Sequence, residues 1–409
     1  MLNAVPVRKG ARRIAVRPAA AQLPMVDPWL LFAGLLLLTL GLVMVASASM
    51  PIADSQANQP FYYLIRQVIY SGVGLILGLV AFQVPLEVWR RSGPVLLMAA
   101  IVLLMLVLIP GIGKEVNGSM RWIDIKLISV QASEPAKLFT LIYMAGYLQR
   151  HDHALQTSAM IMIRPMMVLA VLVVLLLLEP DFGAAAVLVM MALGMVFLAG
   201  VNIGKFLALQ GITIATMAAL LYFSPYRRAR LGSFLDPWAD PFNSGFQLTQ
   251  SLIAIGRGEL FGVGLGASVQ KLFYLPEAYT DFLFAILAEE LGLVGVLVVM
   301  GLYMVIVWRS FRIAARAEWL EMKFAAYLAY GIGLWFGIQA LVNIGVNMGV
   351  LPTKGLTLPL MSYGGSSMVV MCMALAVLLR IGLETEIADP RQRRKRSPTS
   401  PRSTPWGGG

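Results

Sequence analysis

Apolar residues along this chain come in runs, not in alternation. LLFAGLLLLTLGLVMVA, residues 30–46, contains a single polar side chain, whereas a half-buried strand needs a polar residue at every second position. Runs of this kind recur near 29–49, 61–83, 93–111, 134–149, 164–179, 183–200, 204–223, 281–308, 323–347 and 366–387. Crossing the hydrocarbon of a bilayer takes roughly 20 apolar residues in a helix. The pattern therefore predicts an all-α polytopic membrane protein with about ten transmembrane helices. An even number of crossings puts both termini on one side. Arg90, Arg91, Arg150, Arg164, Lys205, Arg309, Arg312, Arg316 and Lys323 fall at connections on that same side, which is the bias of cytoplasmic loops.

Three segments on the other side interrupt the pattern: 112–133, 224–280 and 348–365. The middle one is far longer than an ordinary connection. Its stretch SFLDPWADPFNSGFQLTQSLIAIGRGELFGVGLG mixes aromatics, Pro-anchored turns, glycines and an apolar helical patch of Leu248, Leu252 and Ile255. A large structured extracytoplasmic loop is expected there, between the seventh and eighth spans. The flanks differ in composition, with 1–27 basic and rich in Ala and Pro and 388–409 basic and rich in Pro and Ser. They read as disordered cytoplasmic tails around a transmembrane domain at 28–387.

Composition agrees, with 59% hydrophobic and 13% charged residues and a mean hydropathy of +0.78. The formal net charge of +11 is met by Arg8, Lys9, Arg12, Arg13 and Arg17 ahead of the first span and RQRRKR at 391–396 after the last. Tails of this kind suit anionic lipid, and nothing in them resembles a nucleic-acid module, so no nucleic-acid partner is expected. Cys372 is the only cysteine, which excludes an intrachain disulfide. The first run lacks a cleavage pattern and reads as a retained span, not a signal peptide. HDH at 151–153 has no further ligands near it in the chain and reads as a solvated loop.

Candidate chemistry gathers on the outer side. Asp281, in PEAYTDFLFAILAEE, stands where a polar stretch gives way to an apolar run. With Thr280 as N-cap it reads as a first-turn acid favoured by the helix dipole. It also reads as a general base, because Ala285, Ala288 and Glu289 follow at helical spacing and small side chains leave a groove beneath it. Outer cations run against the positive-inside bias: Arg121, Lys126, Lys137, Arg227, Arg228, Arg230, Arg257, Lys271 and Lys354, with Arg66 in the second span. Snorkelling to headgroups accounts for such cations, and so does binding of a diphosphate. Glu134 and Lys137 are one turn apart at the entry to a span, a functional or a structural ion pair. Glu179 and Asp181 could cap the next helix or help hold a divalent cation.

GSMRWI, SEPAKLF, EPDFG, FLDPWADPFNSGFQLTQSLIAIGRGELFGVGLG, LPEAYTDFLFAILAEELG and VNMGVLPTKGLTLPLMSYGGSS, in this order, resemble the SEDS family across about 29–387. GFQLTQSLIAIGRGELFGVGLGASVQKLFYLPEAYTDF is more similar to its cell-division branch than to its elongation branch. The resemblance implies a peptidoglycan glycosyltransferase that polymerises lipid II at the outer face of the cytoplasmic (inner) membrane, at the division septum. Undecaprenyl diphosphate would leave, with inversion at the sugar. The family's essential acid falls on Asp281, and the Glu and Lys of its EPAK motif on Glu134 and Lys137. Arg66, Arg121 and Lys354 join these as expected substrate-binding residues. A divalent cation, Mg²⁺ or Mn²⁺, is expected at a site the motifs leave unspecified. Expected partners are lipid II, the growing lipid-linked glycan strand, a class B penicillin-binding protein and other division-complex membrane proteins. The competing reading is a transporter that flips lipid II between leaflets.

Overall fold

Pro28 opens the first helix, where its missing N–H costs nothing, and the Asp27 carboxylate caps it by accepting from Leu30 N at 3.1 Å. The computed structural model describes residues 26–389 apart from 117–118, 125–128, 153–158, 223–231, 233, 244 and 353–354. Both predicted tails therefore lie outside the described residues but for their innermost positions, as do Lys126, Arg227, Arg228, Arg230 and Lys354. Each predicted span is a helix: α1 Pro28–Ala57, α2 Tyr62–Gln83, α3 Leu86–Val107, α4 Ser133–Arg150, α5 Ala159–Leu178, α6 Phe182–Leu198 and α7 Ile203–Tyr222. After the short α8, Phe246–Arg257, come α9 Leu283–Trp319, α10 Lys323–Asn347 and α11 Gly365–Ala388.

Among the described helices seven are long and apolar enough to cross a membrane unaided. The apolar parts of α6 and α7 are shorter. α4 carries Glu134, Lys137 and Arg150 yet is buried on almost every face, so protein rather than lipid surrounds its charges. α2 packs along α11, α3 along α4 and α9 along α10. At the α2–α11 crossing, a Cβ on Gly74 would lie 3.2 Å from Val369 Cα, the close backbone approach that small residues permit in membranes.

Two features go beyond the helical expectation. Segment 113–131 forms a three-stranded antiparallel sheet, β1 Gly113–Val116, β2 Ser119–Asp124 and β3 Ser129–Gln131, with Trp122 opposite both Lys114 and Gln131. The large loop also does not stay outside. α9 breaks at Gly292 (φ 64°, ψ −164°), and residues 259–264 lie against the break. Val263 and Gly264 N–H donate to the carbonyls of Glu289 and Glu290, and the freed N–H groups of Leu293 and Val294 donate to Glu259 and Leu260. Every backbone group in a membrane needs such a partner. A Cβ at Gly292 would meet Gly262 N at 2.3 Å, so only glycine fits this left-handed position. Leu260 and Phe261 remain exposed beside the break, about 14 Å along α9.

The re-entrant loop is fastened by buried charge. Lys271 Nζ donates to Glu290 Oε1 at 2.8 Å and to Ser47 Oγ of α1 at 2.9 Å, while Arg257 donates to Glu289 at 2.8 Å. These two outer cations are occupied in holding the loop.

Candidate active site

Five segments meet at the outer end of the bundle: β2, the α5–α6 turn, the residues before α9, the 355–364 loop and the start of α2. Asp281 lies at their centre. It does not take the helical position expected of it, because α9 begins at Leu283 with Phe282 at its cap and no side-chain capping bond. Thr280 is turned the other way, its hydroxyl donating to Glu277. Nor is there an alanine groove below. Ala285, Ala288 and Glu289 are fully buried, Ala285 against Asn347 of α10 and Glu289 against Arg257 and Ser268 of the large loop, partners that the local sequence could not reveal.

Two asparagines of α10 hold Asp281 in place. Its backbone carbonyl accepts from Asn343 Nδ2 at 2.9 Å and from Asn347 Nδ2 at 3.0 Å. Asn343 also donates to Leu356 O at 2.6 Å, and Asn347 Oδ1 accepts from Ala285 N at 3.2 Å. The i, i+4 spacing puts both amides on one helix face, and one clamp joins α9, α10 and the loop before α11. The Asp281 carboxylate accepts no hydrogen bond from a described residue. Gly355 lies against it, and a Cβ there would come within 3.1 Å of Oδ2. Burial pushes this carboxyl up to about 7, with Glu277 and Asp181 adding to the rise and Arg121 opposing it. The half-buried group can therefore change protonation near neutral pH.

The α5–α6 turn supplies the facing wall. Asp181 caps α6 through Ala184 N at 3.1 Å and accepts from Ser133 and Gln131. The cap is thus the role the structure gives it, and the Ser133 hydroxyl at the start of α4 is spent on Asp181. Glu179 is fully buried and neither carboxylate oxygen accepts a hydrogen bond from a described residue. Burial and the Asp181 charge push it up to about 8 against the pull of Arg121, so near pH 7 it is mostly a neutral acid. Arg121 reaches across from β2 to the carbonyls of Glu179 and Pro180, at 3.3 and 2.6 Å.

Glu134 and Lys137 do form an ion pair, at 2.9 Å, but Lys137 is wholly buried. Its amine also donates to Gln339 Oε1 at 3.0 Å and faces the Trp335 ring. Gln339 in turn donates to Thr357 O at 2.9 Å. Direct contact between Lys137 and a diphosphate, the expectation from the motif, is closed in this arrangement. The pair is instead joined through Gln339 to the loop that carries Gly355. Arg66 is exposed on α2 and stacked 4.7 Å over Tyr62. Around it Tyr63, Tyr279 and Tyr363 pack ring on ring with centroids 4.6–5.5 Å apart. Neither this cluster nor the two asparagines stood out in the sequence. Tyr279, Tyr363 and Asn347 lie within the quoted motifs, and Tyr63 and Asn343 outside them.

Among the described residues, seven helices long and apolar enough to cross a membrane, shorter apolar helices beside them, a loop folded back against the break in α9 and ionisable groups gathered at one end define a polytopic membrane protein with a polar site at that end. The profile of the cell cycle proteins FtsW, RodA and SpoVE matches residues 28–387, and the chain belongs to this family. A protein of Thioalkalivibrio sulfidiphilus named probable peptidoglycan glycosyltransferase FtsW is 55% identical over 92% of this chain and 95% of its own. A protein of the same name from Coxiella burnetii is 54% identical over 88% and 97%. Among solved structures, a chain of a peptidoglycan synthase complex, described as coordinating polymerization and crosslinking, aligns with TM-score 0.72 at 29% identity, over 88% of this chain and 98% of that one. RodA of Thermus thermophilus aligns with TM-score 0.64 at 28% identity, over 87% and 96%.

Proposed function

We propose that this chain is the peptidoglycan glycosyltransferase of cell division, polymerising lipid II at the outer face of the cytoplasmic membrane. The observation that carries the reading is the Asp281 carboxylate, clamped through its own carbonyl, free of described hydrogen-bond donors and titrating near neutrality. In the proposed step Asp281 takes the proton of the acceptor sugar's 4-hydroxyl as that oxygen bonds to the anomeric carbon of the lipid-linked donor strand. The anomeric carbon–oxygen bond breaks with inversion, and undecaprenyl diphosphate leaves with the electron pair. Arg66 and Arg121 are the described cations nearest to hand for the diphosphate, with Lys137 and Glu134 as positioning residues.

Among the described residues no group of three or more His, Cys, Asp or Glu is placed to cage a metal. A divalent cation enters the proposal only as one held chiefly by diphosphate oxygens, with at most one or two carboxylates from the chain. Both termini are assigned to the cytoplasm on the basic connections at that end of the bundle, and the protein to the septum on its similarity to FtsW. A class B penicillin-binding protein is the proposed partner, consistent with the likeness to a synthase complex.

The test is polymerisation of defined lipid II, supplied in detergent, by purified protein with and without that partner. Wild type should yield glycan strands and Asp281→Asn only a small residual rate. A lipid II transporter alone makes no polymer in this assay. Wild-type rates from folded Asp281→Asn would remove the general base.

A further inference from the structure

A cavity of about 720 Å³ opens at the end of the bundle opposite Asp281, between the start of α1, the last turns of α9 and the end of α11. Arg309, Arg312 and Arg316 line it from α9, at i, i+3 and i+7 on one face. Arg309 is about 40 Å along α9 from the outer end, beyond the roughly 30 Å of hydrocarbon and so at the far interface. Exposed Trp308 and Trp319 mark that level, as tryptophans do at membrane surfaces.

Two of the three arginines are engaged by carboxylates. Arg309 donates to Asp27 through Nε at 2.8 Å, and Arg316 pairs with Asp389. Arg312 lies exposed over the Trp308 ring, 5.1 Å from its centroid, and makes no ion pair with a described residue. It also ends a lipid-facing stripe, for Leu297, Met304 and Trp308 are all at least half exposed and fall on the same side of α9 as Arg312. An apolar stripe running into a headgroup-sized cavity with an available guanidinium has the layout of a phospholipid, chain along the helix and phosphate at its end.

Charge reinforces this. Asp27 and Asp389 are the roots of the two basic tails, which hold eleven Lys and Arg against these two acids. The ion pairs to Arg309 and Arg316 pin both roots within two turns of one helix, about 10 Å. Separate in sequence, Asp27 and Asp389 come together at the rim of one cavity.

We propose that this cavity binds the headgroup of an anionic phospholipid, with Arg312 taking the phosphate and the tails adding attraction for the surrounding anionic surface. The geometry is independent of the chemistry at Asp281. The test uses the full-length, delipidated protein in native mass spectrometry, titrated with phosphatidylglycerol or phosphatidylcholine. Phosphatidylglycerol should bind in preference, and Arg312→Gln should weaken it about fivefold, the factor one surface cation contributes. Arg312→Lys should restore most of the loss, and phosphatidylcholine, whose choline cation offsets its phosphate charge, should be weakened less than phosphatidylglycerol. Equal binding of the two lipids would overturn the proposal. So would a preference that survives Arg312→Gln and disappears only when 391–409 are removed, since it would then belong to the tail. Glycerol phosphate competing as well as the lipid would make this a soluble-phosphate site, and an acidic peptide displacing the lipid at equal concentration would make it a protein-docking site. Either outcome overturns the lipid assignment.

Discussion

Asn343→Leu is the substitution that isolates the clamp on Asp281. Leucine keeps nearly the same shape and removes both donations, to Asp281 O and to Leu356 O. Asp281 O keeps its bond from Asn347, but Leu356 O loses the one side-chain donor described for it. A buried carbonyl left unpaired costs about 1–3 kcal/mol, so the variant should fold with a lowered melting temperature. The larger effect should fall on rate. The loop bearing Gly355 and the segment bearing Asp281 are both released, and a displacement of about 1 Å at a catalytic group costs on the order of 10²-fold. The assay is lipid II polymerisation by wild type, Asn343→Leu, Asp281→Asn and the double variant. If the asparagine acts through the aspartate, the double variant should be no slower than Asp281→Asn alone, the non-additivity of residues working as a unit. Equal fold-losses in both backgrounds would refute the coupling, as would a wild-type rate from folded Asn343→Leu.

The pH dependence of polymerisation follows from the Asp281 carboxyl at about 7. A general base must be ionised, so the rate should be steady above that pH and fall tenfold per unit below it; a limb near pH 4 would mean an ordinary exposed carboxylate. Glu179, raised to about 8 from an ordinary 4.5, binds its proton more tightly folded than unfolded. Its contribution is fully present below about 4.5 and is lost as pH rises through about 8. Glu179→Gln should melt like wild type near pH 4, above it at pH 6 and further above it at pH 9, as read by thermal denaturation in detergent. Lys137→Met strands a buried Glu134 carboxylate and should cost about 3–5 kcal/mol, while Glu134→Gln with Lys137→Met should recover most of that loss; a stable single variant would contradict the buried pair. Gly292→Ala forces a Cβ into Gly262 N at 2.3 Å and should unfasten the re-entrant loop, seen as new protease cleavage near 259–264.

Hydropathy is a local property, a sum of transfer free energies residue by residue, and that is why the ten spans could be placed from the sequence to within a few residues in most cases. The positions of Asp281, Arg121 and Arg66 at one end followed from the same sum, because alternate connections between spans share a side. What the sequence could not decide were contacts between residues far apart in the chain. Asn343 and Asn347 lie 62 and 66 residues from the aspartate they clamp, and Gln339 lies 202 from Lys137. The helix break at Gly292 was hidden inside an apolar run because the loop that satisfies its backbone groups begins some thirty residues earlier. An apparent groove of alanines became core for a similar reason: small side chains mark a close approach, and only packing decides whether a ligand or a neighbouring helix makes it.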